Sequence, residues 1–243
     1  MKKSGTSELF ETVKTVIFAI LIALFVRTFA AEPFNIPSGS MIPTLLVGDY
    51  LFVSKYSYGY SKHSLPFSVP LITGRMFYNP PKLGDVAVFK TPADNRTDYI
   101  KRIVGLPGDR VQVTNGILYI NRSPVIRKRL PDAIVQTPNG TLRTVERYEE
   151  TFPNGRKHLI QEGDKNTGWL DNTPEFQVPN EHFFVMGDNR DNSSDSRVFG
   201  FVPMNNLVGK AEFLFFSIEG SSAWKIWNWY HNVRTERIFT GIE

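Results

Sequence analysis

A chain of 243 residues, 41% hydrophobic and 21% charged, is long enough for one large or two modest folded domains and is neither disordered nor fibrous in composition. Its formal charge of +4 is mild, and apart from Arg127-Lys128-Arg129 the Lys and Arg residues are dispersed, so the basic stripe of a nucleic-acid binder is missing. Having no cysteine removes disulfides, thiol nucleophiles and thiolate metal sites together, and the four histidines at 63, 158, 182 and 231 lack metal-ligand spacing, so no metal or cofactor is expected.

Near the N-terminus, Val16 to Val26 run without a charge between Lys14 and Arg27. A bare stretch of about 11 residues is closer in length to the apolar core of a signal peptide than to a spanning helix. Lys14 and Arg27 can snorkel, however, and extend the helix from Val13 to Ala31, roughly 28 Å at about 1.5 Å per residue. Cleavage after Ala31 would put Phe29, and after Ala30 would put Thr28, where a small residue is required. An uncleaved anchor over 13–31 is therefore expected. The excess of Lys and Arg before it keeps segment 1–12 cytoplasmic and exports the rest.

Pro33-Phe34-Asn35-Ile36-Pro37-Ser38-Gly39-Ser40-Met41-Ile42-Pro43-Thr44-Leu45 follows. Its prolines fix φ and bar helix for the residues before them, so two hydroxyls around a glycine sit on a stiff, apolar-walled path. Such a path can position a nucleophile before it is activated, although Ser-Gly-Ser by itself is an ordinary turn sequence. A strand is predicted over 50–56, then a loop to about Pro81 whose Phe67, Val69, Leu71, Ile72, Met76 and Phe77 are expected to pack inward in preference to resting on lipid.

Residues 85–90 and 98–104 read as strands, the second ended by Gly105-Leu106-Pro107-Gly108-Asp109. Period-2 alternation places Tyr99, Lys101 and Ile103 on one face and Ile100, Arg102 and Val104 on the other, so one of two adjacent cations must meet an apolar environment. Either the strand is an edge with both charges solvated, or Lys101 is dry enough to be neutral near pH 7 and to serve as a base.

Asn115-Gly116 between alternating segments is a hairpin signature, echoed at Asn139-Gly140 and Asn154-Gly155, so residues 111–178 are expected to form a hairpin-built β subdomain without a charge constellation that carries chemistry. A buried strand then enters Gly187-Asp188-Asn189-Arg190-Asp191-Asn192-Ser193-Ser194-Asp195-Ser196-Arg197. Its Asx positions do not follow the EF-hand pattern, and Asp195 and Arg197 are placed to pair, with Ser193 free to meet a lysine.

Three of these stretches together, Pro37 to Met41, Tyr99 to Arg102 with Gly105 to Asp109, and Gly187 to Arg197, resemble bacterial type I signal peptidase. The resemblance runs from the membrane segment to about residue 217. It implies a mostly β fold with one transmembrane helix, a catalytic core in two parts (32–110 and 179–217), the inserted subdomain, and an aromatic C-terminal segment 218–243 containing Trp224 to Tyr230. It also implies a membrane-bound serine endopeptidase that removes N-terminal signal peptides from exported preproteins after Ala-x-Ala-like sites, acting as a monomer at the outer face of the bacterial inner membrane.

By the same resemblance, Ser40 is the nucleophile and Lys101 the general base. Ser38 and the Ser40 N–H form the oxyanion hole, Ser193 orients the amine, Asp195 and Arg197 pair beneath the site, and Gly187 packs closely there. Ile36, Leu45, Leu51, Val88, Tyr99 and Ile100 wall the pockets for small residues one and three places before the cut.

Three rivals are weaker. A self-cleaving repressor-type Ser/Lys protease would not need the anchor, and Ser222-Ala223-Trp224-Lys225 matches the penicillin-binding SxxK without its companion motifs. An inactive membrane-tethered β scaffold binding an exported partner would keep the fold alone.

Overall fold

The computed structural model describes residues 5–136, 141–163, 170–219 and 232–243. Asn139-Gly140, Ser222 to Lys225 and the Trp224 to Tyr230 aromatics lie outside the described residues. Helix α1 (Gly5–Phe29) contains the window Leu9–Phe29, which is long and apolar enough to cross a membrane, with a mean hydropathy of 2.3 and none of it buried. The helix stops at Phe29, short of the expected Ala31, because the chain is captured by the sheet. Ala31 already pairs with Ser54, and the Lys55 N–H donates to the Ala30 carbonyl at 3.1 Å.

The body is mostly β. In chain order its strands are β1 (Ala31–Asn35), β2 (Asp49–Ser54), β3 (Tyr60–Ser61), β4 (Arg75–Met76), β5 (Val86–Lys90) and β6 (Asp98–Gly105), then β7 (Arg110–Thr114), β8 (Ile117–Ile120) and β9 (Ser123–Pro124). There follow β10 (Ile126–Gln136), β11 (Leu142–Thr151), β12 (Lys157–Glu162), β13 (Phe176–Gln177), β14 (His182–Met186), β15 (Val202–Pro203) and β16 (Leu207–Ser217). A seven-stranded antiparallel sheet runs β1-β2-β16-β5-β6-β14-β15. A four-stranded sheet (β13-β7-β8-β9) and a three-stranded one (β10-β11-β12) are built from the intervening segment.

Asn115 and Gly116 both take positive φ, 50° and 74°, between β7 and β8, as the tight hairpin turn requires. The core of this region is not private to it. Val111, Val113, Leu118, Phe152 and Val178 cluster with Val104 of β6 and with Phe184 and Met186 of β14. On the other face of the large sheet, Ala87, Phe89, Ile103, Phe183 and Val185 form a second cluster, so β6 is covered on both faces.

That cover decides the fate of the Lys101-Arg102 pair. β6 lies inside the sheet between β5 and β14, and both side chains are buried, at 4% and 1% exposure. The solvated-edge alternative fails.

The loop between β2 and β5 departs from expectation in the other direction. Val69, Leu71, Met76 and Phe77 are exposed, Leu71 and Phe77 by about four fifths. Contact there runs through main chain: a Cβ on Gly59 (φ 81°) would stand 2.4 Å from the Met76 and Phe77 carbonyl oxygens, and this close approach of backbones leaves the side chains outside.

Candidate active site

After β1 the chain makes one short helical turn, Gly39–Met41, entered from Ser38 in extended conformation (φ −127°, ψ 154°). Met41 and Leu45 are fully buried and anchor this turn in a core with Leu51, Val53 and Val88. The turn is thereby fixed on the sheet with Ser40 at its centre. Ser40 is 9% exposed.

Lys101 Nζ lies 2.7 Å from Ser40 Oγ and donates to the Ile100 carbonyl at 2.9 Å; the Tyr99 ring stands 5.3 Å from it. Burial pulls the lysine pKa down to about 8, against Asp195 and Asp188, which pull it back up. The amine is thus easily neutralised near physiological pH.

The loop after β14 closes over this pair. The Asn189 N–H donates to the Ser40 carbonyl at 3.1 Å and Asn189 Nδ2 to the Gly39 carbonyl at 2.9 Å. Gly187 abuts the same turn, and its N–H donates to Asp195 Oδ2 at 3.0 Å. Arg197 grips both Asp195 oxygens at 2.9 Å. Burial acts to raise the Asp195 carboxyl, and Arg197 together with the Gly187 N–H overcomes it, holding the group below its ordinary range. Arg102 makes the matching pair on the other side, Nε and Nη2 reaching the two oxygens of Asp188 at 2.9 and 2.8 Å. Asp188, also opposed by burial, is held low by this arginine.

A cavity of about 570 Å³ opens beside Ser40 and Lys101, lined among others by Phe34, Ile36, Ser38, Val88, Tyr99 and Ile100. It exists because β14 pairs with β6 only from Arg102 onward, leaving the main chain of Asp98 to Lys101 open on that side, while β1 is the edge of the sheet. Ser38 is exposed here and its side chain caps nothing.

Several expected residues stand elsewhere. Leu45 and Leu51 are fully buried behind the wall formed by Ile36 and Val88 and do not line the cavity. The inward face of β2 points at the core, and the turn's hydrophobic anchor points the same way. Ser193 makes no bond to the Lys101 amine. Its Oγ is buried without a partner in hydrogen-bond geometry, packed on Gly187 and near enough to Asp195 to help lower that group's pKa.

Sequence reading also missed Asn189, Arg102 and Asp188 as supports, and Glu150 and Arg190 behind them. Arg102 and the Gly-Asp-Asn-Arg run were visible as charges; which charge meets which was not.

The signal peptidase, peptidase S26, family model matches residues 9–216. A signal peptidase I of Rickettsia typhi is 40% identical over 244 residues, spanning 93% of this chain and 90% of that protein, and one of Rickettsia canadensis is 40% identical over 248 residues, spanning 94% and 92%. A crystal structure of a signal peptidase I from Enterococcus faecalis V583 shares 26% identity, covering 54% of this chain and 97% of that one, with a TM-score of 0.32. A family model that covers most of the chain, joined to relatives alike over nearly their whole length, makes this protein a member of the S26 signal peptidase family.

Proposed function

We propose that this peptidase is a membrane-anchored Ser/Lys endopeptidase that removes signal peptides after Ala-x-Ala-like sites. The observation that carries this reading is the 2.7 Å approach of Lys101 Nζ to Ser40 Oγ inside a buried setting. A neutral amine takes the Ser40 proton as Oγ attacks the scissile carbonyl carbon. The resulting oxyanion is met by the Ser40 N–H, at the start of a helical turn where amides lack partners within the turn, and by the Ser38 hydroxyl. Collapse releases the mature chain, its new amine protonated by Lys101. Water, deprotonated in turn by the same amine, then frees the signal peptide from Oγ.

The open main chain of Asp98 to Lys101 and the free edge of β1 support an extended substrate bound between them by strand addition. Ile36, Val88, Tyr99 and Ile100 would restrict its side chains to small ones. Helix α1 and the N-terminal Lys residues support placement of the site on the outer membrane face, within reach of emerging preproteins.

The test uses the full-length protein in detergent with a precursor bearing an Ala-x-Ala site, beside Ser40→Ala and Lys101→Ala. Wild type should cleave and both variants should fall to background. Equal cleavage by either variant would remove the dyad, and no cleavage by wild type would favour the scaffold. Ser38→Ala should lose about 10² to 10³ in kcat, as for the removal of one oxyanion donor.

A further inference from the structure

We propose that Glu150 is a positioning residue for Ser40, which makes the β11–β12 hairpin a working part of the active site. The inference rests on the Ser40–Lys101 reading above. It also gives a role to a charge in segment 111–178, where no constellation that carries chemistry was expected.

Glu150 lies on β11 with 0% exposure, and both its oxygens are taken by the Arg190 guanidinium, Nη1 donating to Oε1 at 3.0 Å and Nη2 to Oε2. Arg190 is itself 3% exposed. Burial opposes ionisation of Glu150, and Arg190 with His158 overrides it and keeps the carboxyl charged. His158 of β12 braces the pair. Its ring stacks on Phe152 with centroids 4.6 Å apart, and its Nε2 stands 3.3 Å from Glu150 and 4.0 Å from Asp188.

The main chain is clamped by the same hairpin. Gln161 donates its N–H to the Asp188 carbonyl at 2.9 Å and accepts the Arg190 N–H at 3.0 Å, and the Arg190 carbonyl accepts Arg197 Nη2 at 2.6 Å. Asp188 is therefore held by Arg102 and Gln161, and Arg190 by Glu150, Gln161 and Arg197. Between them Asn189 makes two bonds into the Gly39-Ser40 turn, while its carbonyl accepts the Asn192 N–H at 3.1 Å within the loop. The hairpin fixes both flanks of Asn189, and Asn189 fixes the nucleophile.

Without its carboxylate, a buried guanidinium must move. The other anions whose charge acts on it are Asp188, which Arg102 already holds, and Glu162, which Arg127 holds at 2.9 Å. Either move drags the 188–190 backbone and with it the Ser40 carbonyl, and a displacement of about 1 Å at a nucleophile is enough to lose about 10²-fold in rate.

The experiment compares full-length wild type with Glu150→Gln, Arg190→Gln and the double variant in detergent, with kcat and KM measured separately on the precursor substrate. Melting temperature and amide exchange of the 187–191 peptide are followed alongside. Glu150→Gln should lower kcat about 10- to 100-fold with KM within about twofold, since the cavity's apolar walls, Ile36, Val88, Tyr99 and Ile100, stand on other segments. Exchange at 187–191 should quicken while β2 and β16 keep wild-type rates. The double variant, with no stranded charge, should be at least as active as Glu150→Gln alone. A folded Glu150→Gln enzyme with wild-type kcat and exchange overturns the proposal, as does a double variant whose losses simply add.

Should Glu150→Gln fail to fold, Glu150→Asp keeps the charge and shortens the reach: reduced kcat at unchanged KM supports the proposal, and wild-type kcat overturns it. Ser40→Ala runs in parallel. If it stays active the dyad reading fails, while exchange at 187–191 still reports whether Glu150 holds the loop.

Discussion

Gly187 approaches Ser40 so closely that a Cβ on the glycine would stand 2.5 Å from the Ser40 carbonyl oxygen, and 2.3 Å from Ser193 Oγ. No side chain fits at that point. Gly187→Ala must therefore push the Ser40 turn off the loop that holds it. We expect kcat to fall about 10²-fold, in line with a displacement of about 1 Å, with the membrane helix and far sheet edge unaffected. Steady-state kinetics with circular dichroism checks this; an Ala variant with wild-type kcat would mean that the loop yields freely.

The rate should depend on pH through the lysine. With Lys101 near 8, kcat/KM should rise with a single proton's slope as pH climbs from 6 to 8 and level off above it, because only the neutral amine accepts the serine proton. A profile flat from pH 6 to 9 would contradict a lysine base.

The same burial bears on stability, and the sign is opposite to that of a salt bridge. A cation whose folded pKa lies below its unfolded value burdens the fold while it is protonated in both states, and the burden lifts as pH rises from about 8 to about 10.5. Lys101→Met should therefore be inactive yet more stable at pH 7 by about 3 kcal/mol, with the gain shrinking above pH 10. Denaturant melts at pH 7 and 10.5 decide the matter; a destabilised Met variant would show that the amine's hydrogen bonds outweigh its desolvation.

Arg102→Met should be destabilising by about 3 to 5 kcal/mol at pH 7, since Asp188 is left buried and unpaired. In wild type the Asp188 carboxyl is held below its ordinary range, so the stability it contributes is present above about pH 4 and is lost as pH falls through the folded value. In the variant burial is opposed only by the Thr44 hydroxyl and His158, so the carboxyl titrates higher than in wild type. The gap between the two melting temperatures should then be wide at pH 7 and narrow towards pH 4.5. A gap that stays constant would assign the loss to packing of the arginine stem.

Much of this site was legible from residue types. The hydroxyls of Ser38 and Ser40, the amine of Lys101 and the Asp195–Arg197 pair announce themselves, because proline stiffness and short polar loops are local properties. The hairpin at Asn115-Gly116 was equally plain, since its two positive φ values are a property of those two residues. Leu45 and Leu51 were misplaced for the converse reason: an aliphatic side chain near a serine reads the same whether it walls a cleft or lies behind it.

Alone, the sequence determined which groups are present, the alternation that sets Lys101 and Arg102 on opposite faces of one strand, and an apolar segment long enough to hold a membrane. Only the tertiary structure decided that both of those faces are covered, that Ser40 and Lys101, 61 residues apart, meet at 2.7 Å, and that a glutamate from the β11–β12 hairpin lies against Arg190. Alternation and turn geometry act between neighbours along the chain. Dryness, and therefore a lysine's charge, depends on what distant segments bring to lie over it.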